Sequence, residues 1–388
     1  MTRKQWIQYI ITLVLAMALL FAGYRYMQQR RTTGFIQAEF ISMKGRVEAI
    51  TDIEEYSYTM SDGRIINEKP LTFEVLLLNE YRKGTVITTT QLIDPFVNFA
   101  MKEVAPGDLV MIYEHHTDQG YSYSFGDYWR SDMLLWLLAA FCAAVLVFGR
   151  LKGLNTLLGL TITCLFVFMV FVPSILAGCN IYVWSILTCL YSIVTTLLII
   201  DGCSRKTLIA AMGCFGGVLT AGLLTALMNR LMKITGLVDE QALYLNDLSG
   251  GLSVDLRAII FAAIIIGATG AVMDVAISIA SSLGELAGQL EAPTFAGLLK
   301  SGFAIGRDMM GTMANTLVLA YIGSSLATVV LIVAYNSSLL NILNKEMIVV
   351  ELEQALVGSL GILAAIPLTS LLAALVYPRA KKAAKPQE

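Results

Sequence analysis

The sequence predicts a membrane α-helical protein: about eight transmembrane helices, with a small extracytoplasmic β-rich domain, an OB-like barrel, between helices 1 and 2. Three observations predict it. Of the 388 residues, 56% are hydrophobic and only 14% charged, against roughly 45–50% and about 25% in soluble domains. The apolar residues fall in long runs rather than at amphipathic spacing. Residues 32–130 depart from this composition, being polar and rich in β-branched and aromatic side chains.

A bilayer core about 30 Å thick needs about 20 mostly apolar helical residues, each rising 1.5 Å. Segments 6–23, 133–149, 154–172, 181–200, 208–228, 258–281, 312–334 and 356–376 are such runs. Pro367 lies in the last, where neighbouring helices can satisfy the freed carbonyl. Residues 1–31 read as an uncleaved anchor. Leu20, two positions before Ala22, is a poor signal-cleavage residue, and the apolar run is long for a signal core. Residues 131–378 read as a seven-helix membrane domain and 379–388 as a basic cytoplasmic tail.

Positive charge sets the expected orientation. With both termini in the cytoplasm, Arg3, Lys4, Arg150, Lys152, Arg205, Lys206, Lys300, Arg307, Arg379, Lys381, Lys382 and Lys385 lie inside. Only Arg230, Lys233, Arg257 and Lys345 then occupy the short outer loops. Residues 32–130 are placed outside.

Within residues 32–130, strand-like runs occupy 35–42, 46–51, 54–59, 72–78, 84–91, 108–114 and 121–128. Turn signals separate them: Ser61-Asp62-Gly63, Arg82-Lys83-Gly84, Pro106-Gly107-Asp108 and Asp118-Gln119-Gly120. Both histidines, His115 and His116, lie here beside Glu114 and Asp118. Neighbours on a strand point to opposite faces, so the pair is read as strand-end residues and no metal is expected. Tyr121, Tyr123, Phe125, Tyr128 and Trp129 suit an interfacial belt or barrel core. The zone is acidic and faces outward, which argues against nucleic acid. All six cysteines lie outside it and no CxxC pair occurs, so they read as small apolar fillers without disulfides.

An Asp near a membrane-helix centre costs about 2.5–3.5 kcal/mol on insertion scales and usually faces a bundle interior or aqueous cavity. Asp274 is the sharpest case, on a stripe of Gly267, Gly270, Asp274, Ser278 and Ser281. Such a stripe serves equally for close helix packing. A second polar group, Arg307, Asp308 and Asn315, stands where span 312–334 begins. Asp308 there also suits a helix N-terminus, whose dipole favours carboxylates. The candidate substrate- or ion-binding set is therefore Asp274, Ser278, Arg307, Asp308 and Asn315. Between the two groups, Leu283, Leu286 and Leu290, then Pro293, then Phe295, Leu298, Leu299 and Phe303 predict two short amphipathic helices on the inner membrane face.

The stretch Arg257-Ala-Ile-Ile-Phe-Ala-Ala-Ile-Ile-Ile-Gly-Ala-Thr-Gly-Ala-Val-Met-Asp-Val-Ala-Ile-Ser-Ile-Ala-Ser-Ser282 resembles the YibE/F-like family of bacterial multi-pass membrane proteins. So do Ile305-Gly-Arg-Asp-Met-Met-Gly-Thr-Met-Ala-Asn-Thr316 and Leu319-Ala-Tyr-Ile-Gly-Ser-Ser325. The resemblance covers about residues 130–376, and the domain ahead of them looks like the longer, YibE-type member. It implies a bacterial plasma membrane of the Gram-positive kind. It also implies a shorter YibF-type paralogue as partner, with a homo-oligomer as the other arrangement. No catalytic residue is implied.

Two functions stay open: a permease or channel-like transporter using Asp274, or a non-transporting scaffold whose outer domain docks partners. An enzyme is not expected, nor is a cofactor. No span contains His, and HExxH, GxxxxGK[ST] and GxGxxG are all missing from the sequence.

Overall fold

Within residues 34–144, one of two units into which the chain divides, alternation of apolar and polar residues sets the faces of six strands. The computed structural model describes residues 3–30, 40–59, 65–79, 82–93, 102–117, 120–238, 240–247, 254–335 and 338–384. The strands are β1 (Phe40–Ile53), β2 (Tyr56–Thr59), β3 (Ile65–Leu77), β4 (Val86–Ile93), β5 (Leu109–Thr117) and β6 (Gly120–Tyr128). On β3, Leu71, Phe73, Val75 and Leu77 are fully buried, and Met43, Val47, Ile87, Val110 and Ile112 pack with them. Gln91 also points inward. It is tolerated because Nε2 donates to the Lys102 carbonyl at 3.1 Å and Oε1 accepts from Val104 N at 3.0 Å.

All pairings are antiparallel. β1 lies between β3 and β5, β4 flanks β3 on its other edge, and β6 flanks β5. β2 continues the line of β1 along β3, since Ile53 pairs Leu71 and Tyr56 pairs Glu68. The sheet curls until Thr89 Oγ1 of β4 donates to the Tyr123 carbonyl of β6 at 3.3 Å, giving a half-barrel. Runs 35–42 and 46–51 are thus not separate strands: from Phe40 on they form one strand, bent at register shifts between Val47 and Ala49 and between Ile50 and Asp52. Gly84 and Gly107 adopt φ of 87° and 93° in two of the expected turns. The signal at 61–63, residues 118–119 and residues 35–39 lie outside the described residues.

His115 bonds Ser124 Oγ through Nε2 at 2.8 Å, whereas His116 is exposed against the Tyr121 ring. Among the described residues, no three His, Cys, Asp or Glu side chains gather as a metal group. At the end of β6, Arg130 donates to Asp127 at 2.6 Å and holds that carboxyl below the usual range. Asp132, opening the next helix, accepts from Lys44 Nζ at 2.6 Å and Trp129 Nε1 at 2.8 Å.

The other unit, residues 1–33 and 145–388, is helical. Its elements are α1 (Arg3–Arg30), α2 (Ser131–Phe166, from residue 145 on), a wide π-helical turn (Val167–Phe171) and α3 (Val172–Leu176). They continue with α4 (Ile181–Asp201), α5 (Arg205–Leu231), α6 (Glu240–Asp247) and α7 (Leu256–Gln289). The last are α8 (Phe295–Ser324), α9 (Leu326–Tyr335), α10 (Leu339–Leu343) and α11 (Glu346–Ala384).

Six helical segments among the described residues are long and apolar enough to cross a membrane, or seven if α8 and α9, bent by 63°, count as one. The 46 residues Ser131–Leu176 count once in that tally. Straight, they would run about 69 Å, more than twice a bilayer core. They are broken at Arg150, whose φ of 49° and ψ of −128° are not helical. The chain folds back there so closely that a Cβ on Gly153 would lie 2.2 Å from the Val145 carbonyl oxygen.

Side-chain caps mark several helix starts: Asn180, Ser204, Asp255 and Thr294 each accept from a backbone N–H in the first turn. α7 and α8 correct the expectation of two separate short amphipathic helices. α7 runs unbroken to Gln289 and α8 unbroken from Phe295, so only residues 290–294 interrupt them. Of the two stripes, Leu283 and Leu298 are fully buried in the main core with Leu286 and Leu299 packed against it, whereas Leu290, Phe295 and Phe303 are exposed.

That core is the packing of α5, α7 and α11, with α4 and α8 beside it. Small residues allow the close approach of α5 and α11. A Cβ on Gly213 would lie 2.0 Å from Thr369 Oγ1, and one on Gly217 would lie 2.8 Å from the Gly361 carbonyl oxygen.

Candidate functional site

α4 carries Thr188, Ser192 and Thr196 at steps of four, so its turns stack three hydroxyls on one face. α2 places Thr163 opposite, with Oγ1 3.4 Å from both Ser192 Oγ and Thr196 Oγ1. Gly159 leaves room beside Thr196. From the third side comes α7, presenting Gly267, Thr269, Gly270 and Asp274. Together these helices enclose an open cavity of about 450 Å³. Apolar walls are supplied by Leu160, Val167, Ile266, Met273 and Ile277.

Several hydroxyls are already engaged along their own helices. Thr188 donates to the Trp184 carbonyl at 2.7 Å, and Thr269 to the Ile265 carbonyl at 2.6 Å. Their oxygen lone pairs remain available as acceptors. Asp274 is exposed to the cavity and makes no hydrogen bond or ion pair with any described residue. An unpaired acid ringed by acceptors can hold a proton or a small cation, and its charge repels anions. Val167, on the wall, belongs to the π-helical turn, a distortion that recurs at functional sites.

The five expected site residues do not converge. Asp274 lines the cavity. Ser278 lies one turn further along α7, half-buried and off the cavity wall. Arg307, Asp308 and Asn315 are exposed on α8, away from the Gly302 and Gly306 face that meets Ser370 and Ile366 of α11. No hydrogen bond or ion pair joins these three to one another or to Asp274.

Sequence reasoning missed the hydroxyl ring, although Thr188, Ser192 and Thr196 repeat at a helical interval. It also missed two polar residues in the α5–α11 seam. Asn229 and Glu353 are 7% and 3% exposed, and neither side chain has a hydrogen-bond partner. Both lie just outside the apolar windows 208–228 and 356–376.

In comparison with known proteins, the model of the YibE/F-like protein family matches residues 137–379. No curated protein matches. No solved structure matches.

Proposed function

The chain belongs to the YibE/F-like family, and from that premise we propose that it is a permease or channel-like protein of a bacterial plasma membrane, with Asp274 as its intramembrane cation or substrate contact. The observation that carries this is the unpaired Asp274 on a hydroxyl-lined cavity between α2, α4 and α7. A residue serving only helix packing would be closed against a neighbour. This one opens onto space large enough for several waters or a hydrated ion, a water occupying about 30 Å³ of liquid volume.

The proposal extends to topology. Counting the segments before and after the Arg150 break separately, and α8 with α9 as one bent span, gives eight crossings. Both termini are then cytoplasmic and the β-rich unit outside, as the lysine and arginine distribution favours. That unit's strand order supports an OB-type reading: with β1 and β2 counted as one strand, that strand pairs with β3 and β5, and β6 approaches β4. A YibF-type paralogue or a second copy remains the partner this reading takes.

The test is flux of protons, Na⁺ and K⁺ into proteoliposomes, followed with entrapped fluorescent indicators. Asp274→Asn is expected to reduce flux at least tenfold while the protein stays monodisperse and helical. Flux equal to that of the unaltered chain would remove Asp274 from the path. A sealed vesicle with no flux of any of the three would overturn the cation reading and favour the scaffold.

A further inference from the structure

α5 and α11 run antiparallel, and their contacts fix a register. Gly213 meets Thr369, Gly217 meets Ala365, and Gly361 meets Ala221, each step of four on one helix matched by four on the other. Beyond the end of α5 the same register persists. Thr235 and Gly236 donate their backbone N–H groups to Glu346 Oε1, each at 2.7 Å. Continued between these two fixed points, the register brings Asn229 level with Glu353, although the two side chains do not bond each other as they stand. These are the two deeply buried side chains of the seam with both terminal polar atoms unpartnered.

Their surroundings are apolar. Ala221 of α5, Ile234 just beyond it, Ile260 and Ile264 of α7, and Val350 and Val357 of α11 form one buried cluster around this level. An ionised carboxylate alone in such a place is strongly penalised, whereas a neutral carboxylic acid is tolerated if hydrogen-bonded. Asn is the complementary partner for the neutral form. Its Oδ1 can accept from the acid O–H while its Nδ2 donates to the acid carbonyl, satisfying both groups at once. A metal cation is less well served, since hard cations take six or more oxygens and the pair offers three.

Asn229 also lines an open recess of about 810 Å³ at the end of the bundle where α5 closes and α7 begins. The charged groups there are Arg230 of α5, Lys233 just after it, the α7 cap Asp255 and Arg257 of α7, the last two paired at 3.4 Å. On α11, Glu346 is held by Thr235 and Gly236, and Glu351 is bonded by Ser325 just beyond α8. None of these groups pairs with Glu353.

We propose that Glu353 and Asn229 form a proton-binding site, separate from the Asp274 cavity, that exchanges its proton with water in the recess through Asn229. On release the Glu353 O–H bond breaks, its electron pair stays on the carboxylate, and the proton passes to water. Uptake reverses the step.

The experiment is infrared difference spectroscopy of the full chain in lipid nanodiscs between alkaline and acidic buffer, with protons as the only ligand varied. Among the protonated-carboxyl C=O bands that grow on acidification, to which Asp274 and the exposed acids contribute others, one band is expected to be lost in Glu353→Gln, an isosteric change that mimics the neutral acid and should keep the fold. Asn229→Leu is expected to keep the band but shift its frequency, because the amide no longer donates to the carbonyl. In Asp274→Asn the band is expected to remain. Carboxyl bands unchanged by Glu353→Gln, or that one band lost in Asp274→Asn, unmoved in Asn229→Leu, or constant across pH in the unaltered chain, would each overturn the proposal. Because the readout is a spectrum rather than transport, its failure is distinguishable from failure of Asp274 as a flux residue.

Discussion

Glu114 and Glu353 are buried acids with opposite surroundings. Glu114, 1% exposed on β5, is answered by Arg82 Nε at 2.8 Å, and the Arg82 guanidinium lies 4.2 Å from the Tyr121 ring centroid. Removing one partner of such a pair strands the other, at about 3 kcal/mol or more when both are buried. Arg82 is partly exposed, so Glu114→Gln is expected to cost about 2 kcal/mol. A lowered denaturation midpoint of the β-rich unit, followed by Trp129 fluorescence against the unaltered chain, would register it; an unchanged midpoint would show the pair to be dispensable. At this scale the sequence was partly readable. Asp274 stood out because an acid interrupts an apolar run. The Arg82–Glu114 pair did not, since its members lie on different elements and nothing local couples them. Glu353 was hidden for another reason: an acid near the end of an apolar stretch looks like solvent-facing flank until the partner helix is known.

Helices are where the sequence spoke most clearly, because each needs only its own residues to declare itself apolar. Segments 181–200, 208–228 and 258–281 all lie inside observed helices, α4, α5 and α7. The stretch 281–306 was misread because a leucine stripe looks the same whether it meets lipid headgroups or another helix. Only packing shows that Leu283 and Leu298 are core. The α5–α11 seam carries the prediction proper to this scale. Valine at Gly217 would drive its branched side chain into the Gly361 carbonyl, Val272 and Ala365, all within about 3 Å of the first added carbon. Overpacking of this kind costs about 1–3 kcal/mol. Gly217→Val should therefore lower the thermal midpoint in detergent, whereas Gly270→Ala on α7, where an added carbon meets nothing within 4 Å, should leave it in place. Equal midpoints for the two variants would refute the close seam.

For the whole molecule, the two units have separate cores: one of strands β1 and β3–β5 with Val104, the others entirely of helical-unit residues. Replacing residues 34–129 by a short flexible linker should leave the helices able to insert and the α5–α7–α11 core intact, read as a monodisperse, fully helical particle in mild detergent. Aggregation of that variant would mean that the helices depend on the β-rich unit. Composition alone separated these two regions, since a polar, β-branched stretch between apolar runs cannot share their environment. The cavity between α2, α4 and α7 was not legible, because a void is a property of three surfaces and no single one of them encodes it. One wall of that void has a further property. The wide turn at Val167–Phe171 holds a residue more than a regular helix requires. Handing that spare residue back along the chain would swing each side chain it passes by about 100°, Thr163 and Phe166 included, so re-aiming the lining like a shutter slat would also unstack Phe166 from Tyr191 of α4.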